Sequence, residues 1–348
     1  MDEAKLHDFM GKMVGDMGGA AIMANVILGD ELGLYRAMTD GQFVTPEELA
    51  SRTGCNARLV REWLSGQAAS GYVEHAAGRF RLPEEQAMAL ANEDSPVYVA
   101  GGAVVLASMY LDKDKIVTAM RGDGGLSWGD HHPCLFHGTE RFFRPGYRAN
   151  LISSWLPALD GVVARLEAGA KVADIGCGHG ASTIVMAKAY PRSRFFGFDF
   201  HLPSIEQARS RAEDAGVTDR VQFAQARARE FPGNDFDLVC FFDCLHDMGD
   251  PVGAARRAHE ALKPGGTVLL VEPYANDDLD QNLNSVGRMF YAASTCICTP
   301  NSLSQEVGLG LGAQAGEKRL RDVFTEAGFA SFRRATETPF NLVLEARK

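Results

Sequence analysis

The residues best placed to do chemistry begin at Lys171, in the run KVADIGCGHG. Five residues of strand character lead straight into Gly176, Gly178 and Gly180, and helix-forming residues 181–187 follow at once. A strand, a glycine turn and a helix start together make a cradle for a nucleotide-like ligand. Glycine at 176 and 178 lets the backbone turn sharply and lets a ligand approach it. The helix start offers unpaired N–H groups. A dinucleotide loop would read GxGxxG and seat a pyrophosphate on the helix. Here the pattern is DxGxGxG, with one residue between Asp174 and the first glycine, which points to a ligand that puts no pyrophosphate there. Residues 194–198 read as a second buried strand ending in Asp199, whose carboxylate can accept both hydroxyls of a ribose.

These residues need a scaffold, and residues 167–275 supply one by alternating strand and helix. Strands are expected at 171–175, 194–198, 221–224, 236–241 and 267–271, with helices between them. Such alternation predicts an α/β fold, a doubly wound Rossmann-like parallel sheet covered on both faces. Right-handed crossovers follow, and ligands bind outside the carboxyl ends of the strands. Residues 274–316 interrupt the pattern as an insertion, with a helix expected at 284–293 and a flexible GLGLG run at 308–312. An insertion beside the strand ends often builds a substrate wall. A helix at 317–328 and a strand pair at 330–336 and 341–346 close the chain.

Residues 1–95 read as a mostly helical, winged-helix-like domain. Residues 20–35 are apolar with few charges and predict a helix that is buried or bound to a partner. Thr45, Pro46 and Glu48 make a capping box with proline at the first helical position. Asn56 caps a second helix carrying Leu59, Val60, Trp63, Leu64 and Ala68 at helical spacing. Short strands are expected at 71–73 and 79–82. The charge of this domain argues against nucleic acid: eight Lys plus Arg stand against fifteen Asp plus Glu, a net of −7. DNA affinity is mainly phosphate neutralisation. Residues 96–165 read as a helical linker and substrate-lining segment, with helices at 97–111 and 149–166 and a loop at 127–133. His131, His132 and His137 with Asp130 and Cys134 are local, and no second ligand group closes a metal site, so no metal is expected.

The chain has 348 residues and a formal charge of −10. No apolar run approaches the length of a membrane span, and the first ten residues lack an apolar signal core. Seven cysteines without a CxxC pair fit reduced thiols in the cytoplasm. The two apolar helices, 20–35 and 97–111, predict a homodimer built largely from residues 1–110.

The glycine run, Asp199, residues 236–242 and residues 263–271, in that order, resemble the motifs of class I S-adenosylmethionine-dependent methyltransferases. The resemblance covers roughly residues 150–348. As a whole the chain is similar to bacterial two-domain methyltransferases with a winged-helix-like N-terminal segment, which Trp128-Gly129-Asp130 and residues 143–148 also fit. It implies a methyltransferase domain at 166–348 and S-adenosyl-L-methionine as cofactor. The backbone at Gly176, Gly178 and Gly180 would face the methionine part and ribose, with Asp174 near the amino group or its waters. Asp199 would hold the ribose, and Phe200 would flank the adenine. Ala226 and Arg227 stand where many family members carry a small residue and an acid near adenine N6. Arginine cannot accept from an amino group, which leaves Arg227 stacking. Asp243 completes the cofactor set.

After the fourth strand, plant phenolic O-methyltransferases carry a His-Asp-aromatic segment whose histidine deprotonates the substrate hydroxyl. His246-Asp247 matches it, Met248 replaces the aromatic, and Glu272 matches the glutamate that steadies the histidine. The resemblance therefore implies His246 as general base, a task suited to a pKa near neutrality. Many class I methyltransferases have Leu-His here only as a helix cap; Asp250-Pro251 already supplies a cap in this chain. Phe142, Tyr147, Met289 and Phe290 are the candidate substrate wall. The expected activity is methyl transfer to an oxygen, or else a nitrogen, of a small, largely apolar molecule. Two rivals stand beside it: a ligand-sensing transcriptional regulator, and a thiol or metalloid methyltransferase working through Cys244, Cys296 or Cys298.

Overall fold

The computed structural model describes residues 1–122 and 124–348. They form two compact units, one of residues 1–107 and 137–145, the other of residues 108–136 and 146–348.

In the first unit, α1 (Glu3–Glu31) starts on the Asp2 side chain, which accepts from the Ala4 and Lys5 amides. It begins earlier and ends sooner than expected, because residues 32–35 turn away. Only Ile22, Val26, Gly29 and Asp30 of this helix are buried. Gly29 is required there: a Cβ would stand 2.5 Å from Trp63 and 2.6 Å from Tyr35. The capping box of α2 (Pro46–Thr53) is present in full. Asn56 caps α3 (Ala57–Ala69). A hairpin of β1 (Glu74–Ala76) and β2 (Arg79–Arg81) follows, then α4 (Glu84–Leu90). The first strand begins three residues later than expected. Gly71 (φ 71°) donates its amide to Ala68 O and closes the end of α3 instead. Val26, Tyr35, Leu49, Val60, Trp63, Leu64, Phe80 and Leu82 share one core.

Next come α5 (Ala100–Leu111), α6 (Lys113–Arg121), α7 (Cys134–Asn150) and α8 (Val162–Ala168). The single helix expected at 149–166 is not formed. Instead α7 runs through Pro145 and Gly146 and passes into a π-turn at Leu151–Trp155, while α8 starts only after Gly161 (φ 70°). Proline normally breaks a helix interior. Here tertiary contacts hold α7 together: the Arg141 guanidinium donates to both oxygens of Asp30 (2.6 and 3.0 Å) and to Glu93.

The second unit is built on seven strands: β3 (Lys171–Ile175), β4 (Arg194–Asp199), β5 (Val221–Gln225), β6 (Phe236–Phe242), β7 (Leu262–Pro273), β8 (Ser331–Glu337) and β9 (Asn341–Arg347). Their order is β5-β4-β3-β6-β7-β9-β8. The first five are parallel, and β9 and β8 add antiparallel. The helices α9 (Ala181–Ala189), α10 (Leu202–Asp214) and α11 (Pro251–Ala261) connect the parallel strands. The insertion carries α12 (Ser285–Ala293), a π-turn at Ser294–Cys298 and α13 (Thr299–Leu303); α14 (Gly316–Glu326) leads to the final pair. Chain direction reverses its order on either side of β3, so the carboxyl ends of β3, β4 and β6 open a crevice of the kind that takes ligands. In register, Ile175 lies beside both Phe198 and Phe241. Among the described residues, no helix is long and apolar enough to cross a membrane.

Candidate active site

The glycine loop leaves β3 through three residues of positive φ, Gly176 (69°), Gly178 (50°) and Gly180 (77°). Phe198 O accepts from the amides of Gly176 (2.7 Å) and Cys177 (3.1 Å), and Asp199 Oδ2 accepts from Gly178 N at 2.9 Å. The loop is thus pinned to the end of β4. A Cβ at Gly178 would meet nothing within 4 Å, so the loop backbone is open on that side. The Asp199 carboxylate also accepts from His201 N (2.9 Å), and burial raises its pKa. Asp174 is fully enclosed. Its Oδ2 accepts from Ser182 and Thr183, each at 2.6 Å, while its Oδ1 has no partner. Burial pushes its pKa up to about 6 against those hydrogen bonds. An unsatisfied buried acceptor costs about 1–3 kcal/mol, so this oxygen wants a donor.

Beside the loop, Phe200 is exposed and its carbonyl accepts from Gln225 Nε2. The Ala226 amide donates to Asp199 O, and Arg227 follows with its side chain in solvent. All of these sit at the ends of β4 and β5.

The second half of the site lies after β6. Asp243 has φ 50°, unusual for a residue with a Cβ and a mark of a held conformation. Its Oδ1 accepts from Asn341 Nδ2 (2.9 Å), and its Oδ2 lies 3.3 Å from the Tyr147 hydroxyl. Burial, then the charge of Glu272, pushes Asp243 up to about 8. His246 Nδ1 lies 2.5 Å from Glu272 Oε2, and Glu272 Oε1 accepts from Leu245 N at 2.9 Å. Both side chains are buried. The Cys298 thiol hydrogen-bonds the same imidazole. Burial alone would lower the His246 pKa, but Glu272, helped by Cys298, raises it well above the ordinary value. Burial also pushes Asp247 up to about 7.

The insertion grips this turn by its backbone. Asp247 O accepts from Asn301 and Gln305, Met248 O accepts from Ser302, and His246 O accepts from the Gly312 amide. Nothing in the sequence marks Asn301, Ser302 or Gln305 for this work. Asp250 accepts from Gly253 N and caps α11, as its place before Pro251 suggests.

Tyr147 is buried, its ring against Phe242 (5.5 Å) and Trp155 (6.2 Å). Phe290 is buried and Met289 half-buried on α12, just before the turn that carries Cys298. Phe142 belongs to the first unit, packed on Phe143 and against Gly102. The histidines of residues 131–137 do not form a cluster of ligands. His131 Nδ1 meets Asp112 Oδ2 at 2.9 Å, and His132 Nδ1 lies 3.1 Å from Cys134 Sγ. Lys115 also donates to Asp112 Oδ1 (2.8 Å). Burial lowers the His131 pKa, outweighing the carboxylate beside it.

Residues 166–328 match the family profile described as a methyltransferase domain, and residues 19–92 match the Rv2258c-like winged HTH domain. This chain belongs to the methyltransferase-domain proteins. Over 107 residues it is 40% identical to the 27-O-demethylrifamycin SV methyltransferase of Amycolatopsis mediterranei (strain S699), covering 30% of this chain and 39% of that protein. Over 113 residues it is 34% identical to a ubiquinone biosynthesis O-methyltransferase of Xanthomonas campestris pv. campestris (strain B100), covering 32% of this chain and 47% of that one. The chain thus matches less than half the length of either relative. The whole methyltransferase chain shares its fold with human N-acetylserotonin methyltransferase, solved in complex with S-adenosylmethionine. That match has a TM-score of 0.67 at 19% identity, covering 100% of this chain and 98% of that one.

Proposed function

We propose that this methyltransferase moves a methyl group from S-adenosylmethionine to an oxygen, in preference to a nitrogen, of a small, largely apolar molecule. The observation that carries the reading is the buried His246–Glu272 pair at the end of β6, the strand beside β3 and its glycine loop. The cofactor fits the residues present. Asp174 Oδ1 lacks a donor, which the cofactor's ammonium group would supply. Gly178 leaves its backbone open, and Asp199 retains lone pairs for ribose hydroxyls. Phe200, Ala226 and Arg227 are the candidate adenine contacts, and Asp243 borders the methionine end. S-adenosylmethionine supplies a methyl already activated on a sulfonium, so alignment provides much of the rate.

His246 then takes the proton of the acceptor hydroxyl, and Glu272 stabilises the imidazolium that results. Tyr147, Met289 and Phe290 give the acceptor an apolar wall. The domain relatives named for O-methylation support oxygen as the acceptor. The regulator reading loses ground because the arginines of the winged helix already have partners. Arg58 pairs with Glu62, Arg61 with Glu47, Arg79 with Glu48 and Arg81 with Glu74. The free thiols of all seven cysteines suit the cytoplasm.

The N-terminal half of α1 supports a homodimer more directly than the helices expected to form it. Leu6, Phe9, Met10, Met13, Val14 and Met17 are all exposed on it. Paired antiparallel about a two-fold axis, Leu6 meets Met17 and Met10 meets Met13, so the stripe is self-complementary. Calorimetry with S-adenosylhomocysteine tests the donor. Binding that weakens at least tenfold in Asp199→Ala supports it, and no binding at millimolar ligand sinks it.

A further inference from the structure

His246 has two ring nitrogens, and Glu272 occupies Nδ1. The free nitrogen, Nε2, is where an acceptor's proton must arrive if His246 is a base. The Cys298 thiol stands there instead, hydrogen-bonded to the ring. Thiol, imidazole and carboxylate therefore lie in series, which is the arrangement that activates a nucleophilic sulfur: the base takes the thiol proton and the acid holds the base.

The thiol is placed by the backbone. It ends the π-turn Ser294–Cys298, and π-turns inside helices gather at functional sites. Ser294 Oγ holds that turn in place, meeting Thr299 Oγ1 (3.1 Å) and accepting from Ala313 N (3.1 Å). The neighbouring Gly312 amide donates to His246 O. The segment carrying the sulfur and the turn carrying the imidazole are thus tied together on both sides of the contact. The other thiols near the site lack such a base. Cys244 Sγ donates to Ile175 O, and Cys177 is enclosed beside the glycine loop.

We propose that Cys298, His246 and Glu272 form a triad that makes Cys298 the nucleophilic thiol of this protein, reactive toward small soft electrophiles, a methyl sulfonium among them. With an alkyl halide, the Sγ–carbon bond forms, the carbon–halogen bond breaks, halide leaves with the electron pair, and the thiol proton stays on His246. With a methyl sulfonium, the new bond is Sγ–CH₃, the old sulfonium–methyl bond breaks, and its pair neutralises the departing sulfur. The proton again goes to His246 and then to solvent. The methyl-sulfonium arm rests on the donor reading above; the thiol's reactivity does not.

The experiment is alkylation of the intact protein with iodoacetamide at pH 6.5, followed by peptide mass spectrometry. An ordinary thiol is only about 1% ionised there, so Cys298 should react at least about tenfold faster than Cys296, two residues away. His246→Gln should remove the advantage. A Cys298 rate equal to that of Cys296 in the wild type overturns the triad without any variant that might misfold. In parallel, the protein is held with S-adenosylmethionine and its peptides are weighed. A methyl group gained at Cys298, and absent in His246→Gln, extends the triad to the sulfonium. Donor bound by calorimetry with Cys298 unmethylated removes that arm. No donor binding refutes the cofactor reading instead, while the iodoacetamide rates still decide the thiol.

Discussion

The second unit holds two buried histidine–carboxylate pairs of similar geometry and opposite electrical behaviour. His131 meets Asp112 at 2.9 Å, and His246 meets Glu272 at 2.5 Å. Burial acts on both imidazoles in the same direction, against the charged form. Yet the His131 pKa falls while that of His246 rises well above its ordinary value. The partners explain the difference. Asp112 is shared: Lys115 donates to one oxygen, and the other accepts from the His132 amide as well as facing His131. Little of its charge is left for the ring. Glu272 accepts from one neutral amide, so its charge falls on His246. A histidine beside an acid is therefore not by itself a strong base; the acid must have no other cation to satisfy it.

Removing the imidazoles should separate the two pairs most sharply. His246→Ala should lower turnover roughly a hundredfold or more, with donor affinity by calorimetry within about twofold of wild type. Near-normal turnover would return His246 to a structural role. The carboxylates come next. Glu272→Gln should cost about tenfold in turnover and move the acid limb of the pH–rate profile to lower pH, because the charge that raises His246 is gone. Asp112→Asn should leave turnover within about twofold and instead lower the melting temperature by at least about 2 °C. An unshifted acid limb in Glu272→Gln would break the account of His246. A smaller effect tests the cause directly. Lys115→Met should raise the His131 pKa by about half a unit to one unit in an NMR titration; a fall or no change would mean Lys115 is not what distinguishes the pairs.

The smallest effect concerns the carboxyls around the His246 pair. Asp174 at about 6, Asp247 at about 7 and Asp243 at about 8 all stand above the ordinary carboxylate value. A raised folded-state pKa stabilises the fold fully below about pH 4. That contribution is lost as pH rises through 6 to 8. A cationic donor would pull these pKa values down, so its binding at pH 7 should release a fraction of a proton. Calorimetry in buffers of different ionisation enthalpy measures it, and proton uptake would contradict the assignment.

Much of this was legible in the sequence because it depends on local rules. Residues 171–180 spelled out strand and glycine turn, and β3 is observed at the expected residues. Thr45, Pro46 and Glu48 spelled out the capping box. What failed depends on partners distant in the chain. Pro145 and Gly146 read as breakers, yet Arg141 bonded to Asp30 keeps α7 helical around them. The contact between Cys298 and His246 joins residues 52 positions apart, and no periodicity announces it. Nor could the sequence tell Asp112 from Glu272, since the difference is whether a lysine reaches the second oxygen.

Gly176 has a history written into its surroundings. A Cβ at that position would stand 2.8 Å from Cys244 Sγ and 3.0 Å from its Cβ. The loop at the end of β3 and the turn at the end of β6 are therefore two sides of one thin partition. A change at 244 that enlarges the side chain is felt at once in the backbone of the opposite loop, and cannot be inherited alone. Descendants of this chain can alter the two positions together or neither. A lineage drifting toward a new acceptor by reshaping residues 243–248 must carry its donor cradle along with it, which makes the partition a brake on how quickly this site can change its chemistry.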